Sequence, residues 1–520
     1  MSKFLKGTFI LLMAGLVTRV LGFINRIVIA RFIGEEGVGL YMMAFPTLVL
    51  VVTITQLGLP VAISKNVAEA EARGDFRKIK KILVVSLAST ISLSIVFTPA
   101  LIFLAPYLSE TLFTDSRTQW PLLAIAPIVP IVAISSVLRG YFQGRQNMKP
   151  SATSQVIEQL VRITLIAVLT KAFMPYGIEY AAAGAMIASV IGELVSLIYL
   201  MTTFKLRKKF PLRKNFFQFV NSGKSTFNDL MKIALPTTGS RMIGSVSWFF
   251  EPIVVAHSLA IAGVAAVAAT KQYGALTGFA MPLLLLPSFI TYSLSTSLVP
   301  AISEANSKKN TKVIEHLLQQ SLRFSLLTGG LAVVVLYILA EPLMTLMYGS
   351  SNGAHFIKLM APFFLFYYFQ GPLQAALQAL DLARAAMINS LIGNLAKTAL
   401  IFLLASQPAF GINGVALGMV MGIVLITLLH FATMLKAVSF TFYIKDYIKM
   451  FALIILSGSL GFLLWGWLDA SLGLTVKVLA STVLMGGVYI VLAIALGLIR
   501  KNELLRIRSV ISSFFKKTHM

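Results

Sequence analysis

The chain has 520 residues, of which 57% are hydrophobic and 12% charged, and its mean hydropathy is +0.85. A soluble globular domain carries about 25% charged residues, so a soluble fold is excluded, and so large an apolar share excludes intrinsic disorder. The net charge of +25 would point to a nucleic-acid partner in a soluble protein. Here the basic residues sit in short loops between apolar runs, which is the signature of membrane topology instead.

Fourteen apolar runs of membrane-spanning length follow one another. They cover roughly 8–31, 38–63, 82–104, 121–143, 154–174, 178–202, 230–258, 268–301, 317–340, 355–380, 387–406, 411–435, 450–469 and 477–499. In hydrocarbon every backbone polar group must bond internally, so runs of this length predict helices. The short alternating segments of a membrane barrel are absent from the sequence. The fold class is therefore an all-α polytopic membrane protein with about fourteen transmembrane helices. Met1 to Lys6 precedes the first run without a small-residue cleavage site, so the first run reads as a retained helix. Pro282, Pro287 and Pro300 predict kinks in 268–301.

Loop 64–81 carries Lys65, Arg73, Arg77, Lys78, Lys80 and Lys81. Loop 203–229 carries Lys205, Arg207, Lys208, Lys209, Arg213, Lys214 and Lys224. Lys308, Lys309 and Lys312 follow in 302–316, and Arg500, Lys501, Arg506, Arg508, Lys516 and Lys517 in the tail. The alternate loops are poor in both residues, with Arg117 alone in 105–120 and none in 407–410. All the basic loops fall on one side of a fourteen-span count, which puts both termini in the cytoplasm. Trp120, Tyr176, Tyr180, Trp465 and Trp467 lie near span ends, as an aromatic belt does.

The sequence repeats itself at an offset of 234–235. Ala126-Pro127 recurs as Ala361-Pro362, Gln143, Lys149 and Arg162 meet Gln378, Arg384 and Lys397, and Gly184 meets Gly418. Thr18-Arg19 meets Ser240-Arg241 at a slightly shorter offset. Spans 1–6 and 7–12 thus read as two parallel copies of one six-helix unit, with spans 13 and 14 added. The predicted organisation is an N-terminal lobe at 1–204, a cytoplasmic linker at 205–229 and a second lobe at 230–440. Two extra helices follow at 441–500 and a basic tail at 501–520. Parallel repeats of this kind bind substrate between them near the midplane.

No catalytic constellation is visible. Gly223-Lys224-Ser225 lacks the first glycine of a phosphate loop, because position 218 is Gln218. The five His are scattered without metal-ligand spacing, and the absence of Cys excludes disulfides and thiolate metal sites. Neither metal nor cofactor is expected, and the protein reads as a non-enzyme. The informative residues are charges inside spans, which are costly in hydrocarbon and face a cavity or a partner. Arg19 and Arg26 stand two turns apart on one face of span 1, with Asn25 beside them and Arg31 near the far end. Arg241 repeats Arg19 in span 7, and Lys271 opens span 8. These four define a candidate cationic substrate site, for which Arg supplies the paired donors that suit phosphate. Asn25, Glu158, Arg162, Glu193, Glu251 and Lys397 are secondary cavity or coupling candidates. The structural alternatives are equally concrete. Arg19 would snorkel to headgroups, Arg31 would be an interface residue, and Glu158 would pair with Arg162 at i, i+4. Lone His257 and His355 at span ends read as ordinary polar side chains.

Thr18-Arg19-Val20-Leu21-Gly22-Phe23 and Ile29-Ala30-Arg31-Phe32-Ile33-Gly34 resemble the opening helix of the lipid II flippases (MurJ-type). Those proteins belong to the multidrug/oligosaccharidyl-lipid/polysaccharide exporter superfamily. Arg139-Gly140-Tyr141-Phe142-Gln143-Gly144, Asn147-Met148-Lys149-Pro150-Ser151-Ala152 and Gln155-Val156-Ile157-Glu158-Gln159 are similar to its sporulation branch. The resemblance covers essentially the whole chain. It implies a flippase of the bacterial inner membrane that moves an undecaprenyl-pyrophosphate-linked sugar to the outer leaflet by alternating access, serving spore cortex or cell wall. Its implied partners are that polyprenyl-pyrophosphate-linked glycan, membrane lipids and cell-wall synthesis enzymes, without nucleic acid. The family's cavity cations map onto Arg19 and Lys271, while Asn25 takes the place of a second span-1 arginine and Arg26 follows it. The family's second-span acid and arginine have no match, since the stretch around Leu40 and Thr53 is uncharged. Spans 13 and 14 are where that family forms a groove for the polyprenyl tail. Two other readings stand beside the flippase: a cation-coupled drug exporter of the same superfamily, and a non-transporting membrane scaffold for wall synthesis.

Overall fold

The structure is a computed structural model that describes residues 3–207, 216–438, 444–468 and 473–499. The predicted basic tail at 501–520, and Lys208, Lys209, Arg213 and Lys214 of the linker, lie outside the described residues. All regular structure among the described residues is helical. In chain order the helices are α1 (Lys3–Gln56), α2 (Leu59–Ala72), α3 (Phe76–Tyr107), α4 (Gln119–Ile125), α5 (Ile128–Gly144), α6 (Lys149–Phe173) and α7 (Ile178–Arg207). Then come α8 (Phe216–Asn221), α9 (Lys224–Ile261), α10 (Ala266–Gly274), α11 (Met281–Leu285), α12 (Ser288–Ser307), α13 (Thr311–Ile338) and α14 (Ala340–Tyr348). The last five are α15 (Ala354–Ala379), α16 (Ala383–Ala405), α17 (Gly411–Ala437), α18 (Ile444–Trp467) and α19 (Leu474–Ala495).

Ten of these helical stretches are long and apolar enough to cross a membrane, or eleven if the bent pair Ala266–Leu285 and Ser288–Ser307 is one span. Every one of the fourteen predicted runs falls on a helix, and the difference in count has physical causes. The stretch Met13–Ala72 counts as one span yet contains two predicted runs. Within α6 lie Glu158, Arg162 and Lys171, and within α15 lie Lys358, Gln370, Gln374 and Gln378, which lower the mean hydropathy of both. The kink predicted for 268–301 is present, because α11 ends at Leu285 and Pro287 caps the start of α12.

The two runs inside α1 are separated at Gly34, whose φ of 62° and ψ of −170° belong to a region that only glycine occupies at low cost. A further constraint acts on the arm that follows. A Cβ on Gly39 would stand 2.0 Å from the carbonyl oxygen of Thr270, and one on Gly274 2.0 Å from that of Glu35. The second arm of α1 and helix α10 therefore meet backbone to backbone, an approach that small residues permit in membranes.

The chain divides into two compact units, Met1–Pro282 with Leu391–Met421, and Leu283–Ser390 with Gly422–Met520. In the first, α2, α3, α5, α7 and α9 surround a cluster that includes Val67, Ala70, Ile79, Leu83, Leu87, Leu138 and Phe142. In the second, α12, α13, α15 and α17 surround Ile302, Ala305, Ile314, Leu318, Leu322, Leu373 and Leu377. Each residue of the second set lies 235 positions after its counterpart in the first. The turns repeat at the same offset. Asp75 caps α3 by accepting from Lys78 N at 2.8 Å, and Asn310 caps α13 by accepting from Val313 N at 3.2 Å. Before each cap stands a left-handed residue, Gly74 (φ 69°) and Lys309 (φ 53°), and Gln146 and Asp381 form a second such pair. The repeat read from dipeptides is thus a repeat of core and turns.

Candidate functional site

Helix α1 carries Arg19 on an exposed position and Arg26 on a half-buried one, whereas Asn25 beside Arg26 is buried, with its Oδ1 lacking a protein hydrogen-bond partner. Exposed apolar residues of the same arm, Val17 and Ile24, precede the two arginines by two positions each. At about 100° per residue Arg19 and Arg26 share one face, and exposed Leu16 and Val20 flank Arg19. Arg31, Arg241 and Lys271 are also exposed.

Apart from Asn25, the secondary candidates form two buried clusters. In the first, Glu158 and Arg162 of α6 pair at 2.6 Å, as i, i+4 spacing predicts. Arg139 of α5, which sequence reasoning did not single out, completes this cluster. Its Nη2 stands 3.1 Å from Glu158 Oε2, 3.2 Å from Glu193 Oε1 on α7 and 3.0 Å from Ser196 Oγ. In the second, Lys397 of α16 donates to Glu251 of α9 at 2.6 Å, and the Tyr273 hydroxyl of α10 lies 3.5 Å from the other oxygen of the same carboxylate. Glu158, Glu193 and Glu251 are all buried. Each has a guanidinium or ammonium partner, as a charge removed from water requires. Arg139 was legible as a charge inside the apolar run 121–143. Its partners, 19 and 54 residues away, were not.

A third cluster sits where predicted loop 105–120 meets the break in α1. Arg117 pairs with Glu36 and with Asp115, the latter at 2.8 Å, and Thr270 at α10 donates to the same Asp115 at 2.7 Å. Partial burial acts to raise the Asp115 carboxyl. Hydrogen bonds from Arg117 and Thr270, with the Arg117 charge, outweigh it and hold the group below its ordinary value of 3.8. On the other side of the predicted membrane, Arg145 beyond α5 binds Glu71 of α2 at 2.8 Å and the Tyr141 hydroxyl at 3.0 Å.

A groove of about 840 Å³ in the second unit runs between α13, α15 and α18. Val333, Tyr337, Pro362, Phe451, Ile455 and Phe462 are among its lining residues, with Lys358 the cation of its wall. Lys358 is paired with Glu341 at 2.6 Å.

These features define an all-helical, multi-pass membrane protein with paired ionisable clusters inside its spans. The chain belongs to the polysaccharide biosynthesis protein family, whose model matches residues 4–306, within the multidrug/oligosaccharidyl-lipid/polysaccharide superfamily, and the MatE family model matches 242–403. Its sequence is 61% identical to stage V sporulation protein B of Bacillus subtilis (strain 168), over 97% of this chain and 98% of that protein. It is 25% identical to the lipid II flippase MurJ of the same organism, over 96% of each chain. Among solved structures it is similar to a lipid II flippase MurJ in an inward closed conformation, with a TM-score of 0.68 at 18% identity, covering 92% of this chain and 97% of that one.

Proposed function

We propose that the protein is a flippase for a polyprenyl-pyrophosphate-linked sugar, a lipid II-like wall or spore-cortex precursor, working by alternating access. The observation that carries this reading is the arginine face of α1, on which Arg19 and Arg26 stand two turns apart. A guanidinium on that face replaces the hydration that a pyrophosphate loses on leaving water, through charge-assisted paired hydrogen bonds. Arg241 and Lys271 extend the cationic set, and the two repeated lobes, 1–204 and 230–440, are the moving parts. The apolar groove of α13, α15 and α18 suits an isoprenoid tail, which gains nothing from leaving a hydrocarbon environment and needs only a path. The relatives named for lipid II flipping and for sporulation support this substrate class. The basic loops favour a cytoplasmic position for both termini. A drug exporter driven by cations calls for buried acids without basic partners, and Glu158, Glu193 and Glu251 are all paired.

The reading is tested in reconstituted vesicles by following leaflet exchange of a pyrophosphate-linked polyprenyl sugar. One charge-assisted hydrogen bond contributes about 1.5–3 kcal/mol, so Arg26→Ala slows exchange by about tenfold or more. Equal exchange by the wild type and by variants with Arg19, Arg26 and Arg241 each replaced by Ala contradicts it, and favours the scaffold reading.

A further inference from the structure

We infer that Trp248 of α9 reads the sugar of the transported lipid, packing its indole against the ring joined to a diphosphate that Arg241 holds. This role of Trp248 rests on the flippase reading. The internal repeat points to it first. The offset of 222 that carries Arg19 onto Arg241 also carries Gly22 onto Gly244 and Arg26 onto Trp248. Each copy thus presents a cation, a glycine three positions on and a large side chain seven positions on, all on one helix face. A Cβ on Gly22 or on Gly244 would meet no atom within 4 Å, so each face has an open notch between its two large side chains. In the first copy both of these are guanidiniums. In the second an indole replaces one of them, and the ligand chemistry changes with it.

Helix α9 is two-sided along this stretch. Arg241, Gly244, Ser245 and Trp248 follow the i, i+3, i+4, i+7 pattern of one face. Ile243, Val246 and exposed Phe250 fall on the other side, with Phe250 about 180° from Arg241 at about 100° per residue. Arg241 and Gly244 are exposed and Trp248 is half-buried, so the face is open to a ligand. Trp248 sits about ten residues inside the nearer end of the predicted run 230–258, deeper than the span-end position of a belt tryptophan.

The indole is also held in place and left with an unused donor. Phe45, on the second arm of α1, meets it edge-on, with ring centroids 5.7 Å apart and 66° between the planes, and Tyr41 stacks on Phe45 at 5.6 Å. The indole N–H donates to no acceptor among the described residues and is not sealed off. A Trp N–H away from bulk water calls for an acceptor, and a hydrocarbon chain offers none. A sugar satisfies both parts of the side chain. Its C–H groups lie against the negative face of the ring, and one of its hydroxyls accepts from the N–H. Arg241 and Trp248 are two turns apart, about 10 Å along the axis, a separation that a hexose joined to a diphosphate spans.

The test measures equilibrium binding to the full-length protein of undecaprenyl pyrophosphate, and of the same lipid carrying one N-acetylhexosamine. The wild type favours the sugar-bearing lipid by about three- to tenfold, the ratio that one aromatic contact supplies. Trp248→Leu brings the ratio close to one, and Trp248→Phe keeps part of it. A wild-type ratio near one, or a ratio untouched by Trp248→Leu, overturns the assignment. So does a Trp248→Leu protein that loses both lipids alike, which is the mark of a ring that only packs. A second readout covers a Trp248→Leu protein that fails to fold. With Trp120, Trp465 and Trp467 replaced by Phe, Trp248 is the remaining tryptophan of the four, and its emission shifts with the sugar-bearing lipid and not with the bare one. An unmoved emission overturns the assignment. Undecaprenol separates the two readings. Pyrophosphate lipids bound no better than undecaprenol remove the flippase reading and the role of Trp248 with it, whereas pyrophosphate lipids bound better but without sugar preference remove the role of Trp248 alone.

Discussion

Lys397 and Glu251 show what a buried charge requires. Their pairing at 2.6 Å joins α16 to α9 across 146 positions of sequence. Removing one partner strands the other, which costs about 3–5 kcal/mol when the pair is buried. Glu251→Gln is expected to lower the thermal stability of the detergent-solubilised protein sharply, and Glu251→Gln with Lys397→Met to recover much of the loss. A double variant no more stable than the single one contradicts a mutual pairing. Asp115 gives the pH counterpart. Its folded value lies below the ordinary 3.8, so its network stabilises fully above that value and is lost as pH falls through the lowered one. The stability gap between the wild type and Asp115→Asn should therefore be open at neutral pH and close below about pH 4. A gap that widens on acidification reverses the sign and refutes the assignment. At this scale the sequence was partly legible. The i, i+4 spacing of Glu158 and Arg162 and the placement of charge inside apolar runs both led to real clusters. Arg139, Thr270 and Tyr273 were not foreseen, because their partners are brought near only by packing.

Helices and turns obey the repeat more closely than side chains do. Gly74 and Lys309 occupy the same left-handed turn, and only the first is the residue that turn prefers. A left-handed L-residue costs about 1–2 kcal/mol, against about 0.5–1 kcal/mol of extra chain entropy for glycine. Lys309→Gly is thus expected to stabilise by up to about 1 kcal/mol, read as a raised melting temperature, and a lowered one contradicts the repeat of that turn. Gly34→Ala is the opposite case. No atom lies within 4 Å of the added Cβ, so the whole cost is conformational, about 1–3 kcal/mol. A neutral outcome in the same melting assay would show that α1 does not break there. The repeat offset was visible in the sequence because turns, caps and core positions carry residue-specific demands. The span count was less legible. Continuous hydrogen bonding hides one boundary inside α1, and polar residues disguise α6 and α15.

Across the molecule, the cluster of Glu36, Arg117, Asp115 and Thr270 lies beside the backbone contact of α1 with α10. In the proposed function, cationic side chains of the spans receive a phosphate-bearing headgroup. The most direct measurement is equilibrium binding to the purified protein of undecaprenyl pyrophosphate carrying a sugar, beside undecaprenol, which lacks the phosphates. The wild type is expected to favour the pyrophosphate lipid by at least about tenfold, the ratio that one lost charge-assisted bond would remove, and Arg19→Ala with Arg26→Ala to erase the preference. Equal affinity for the two lipids, or a preference untouched by both substitutions, would contradict it.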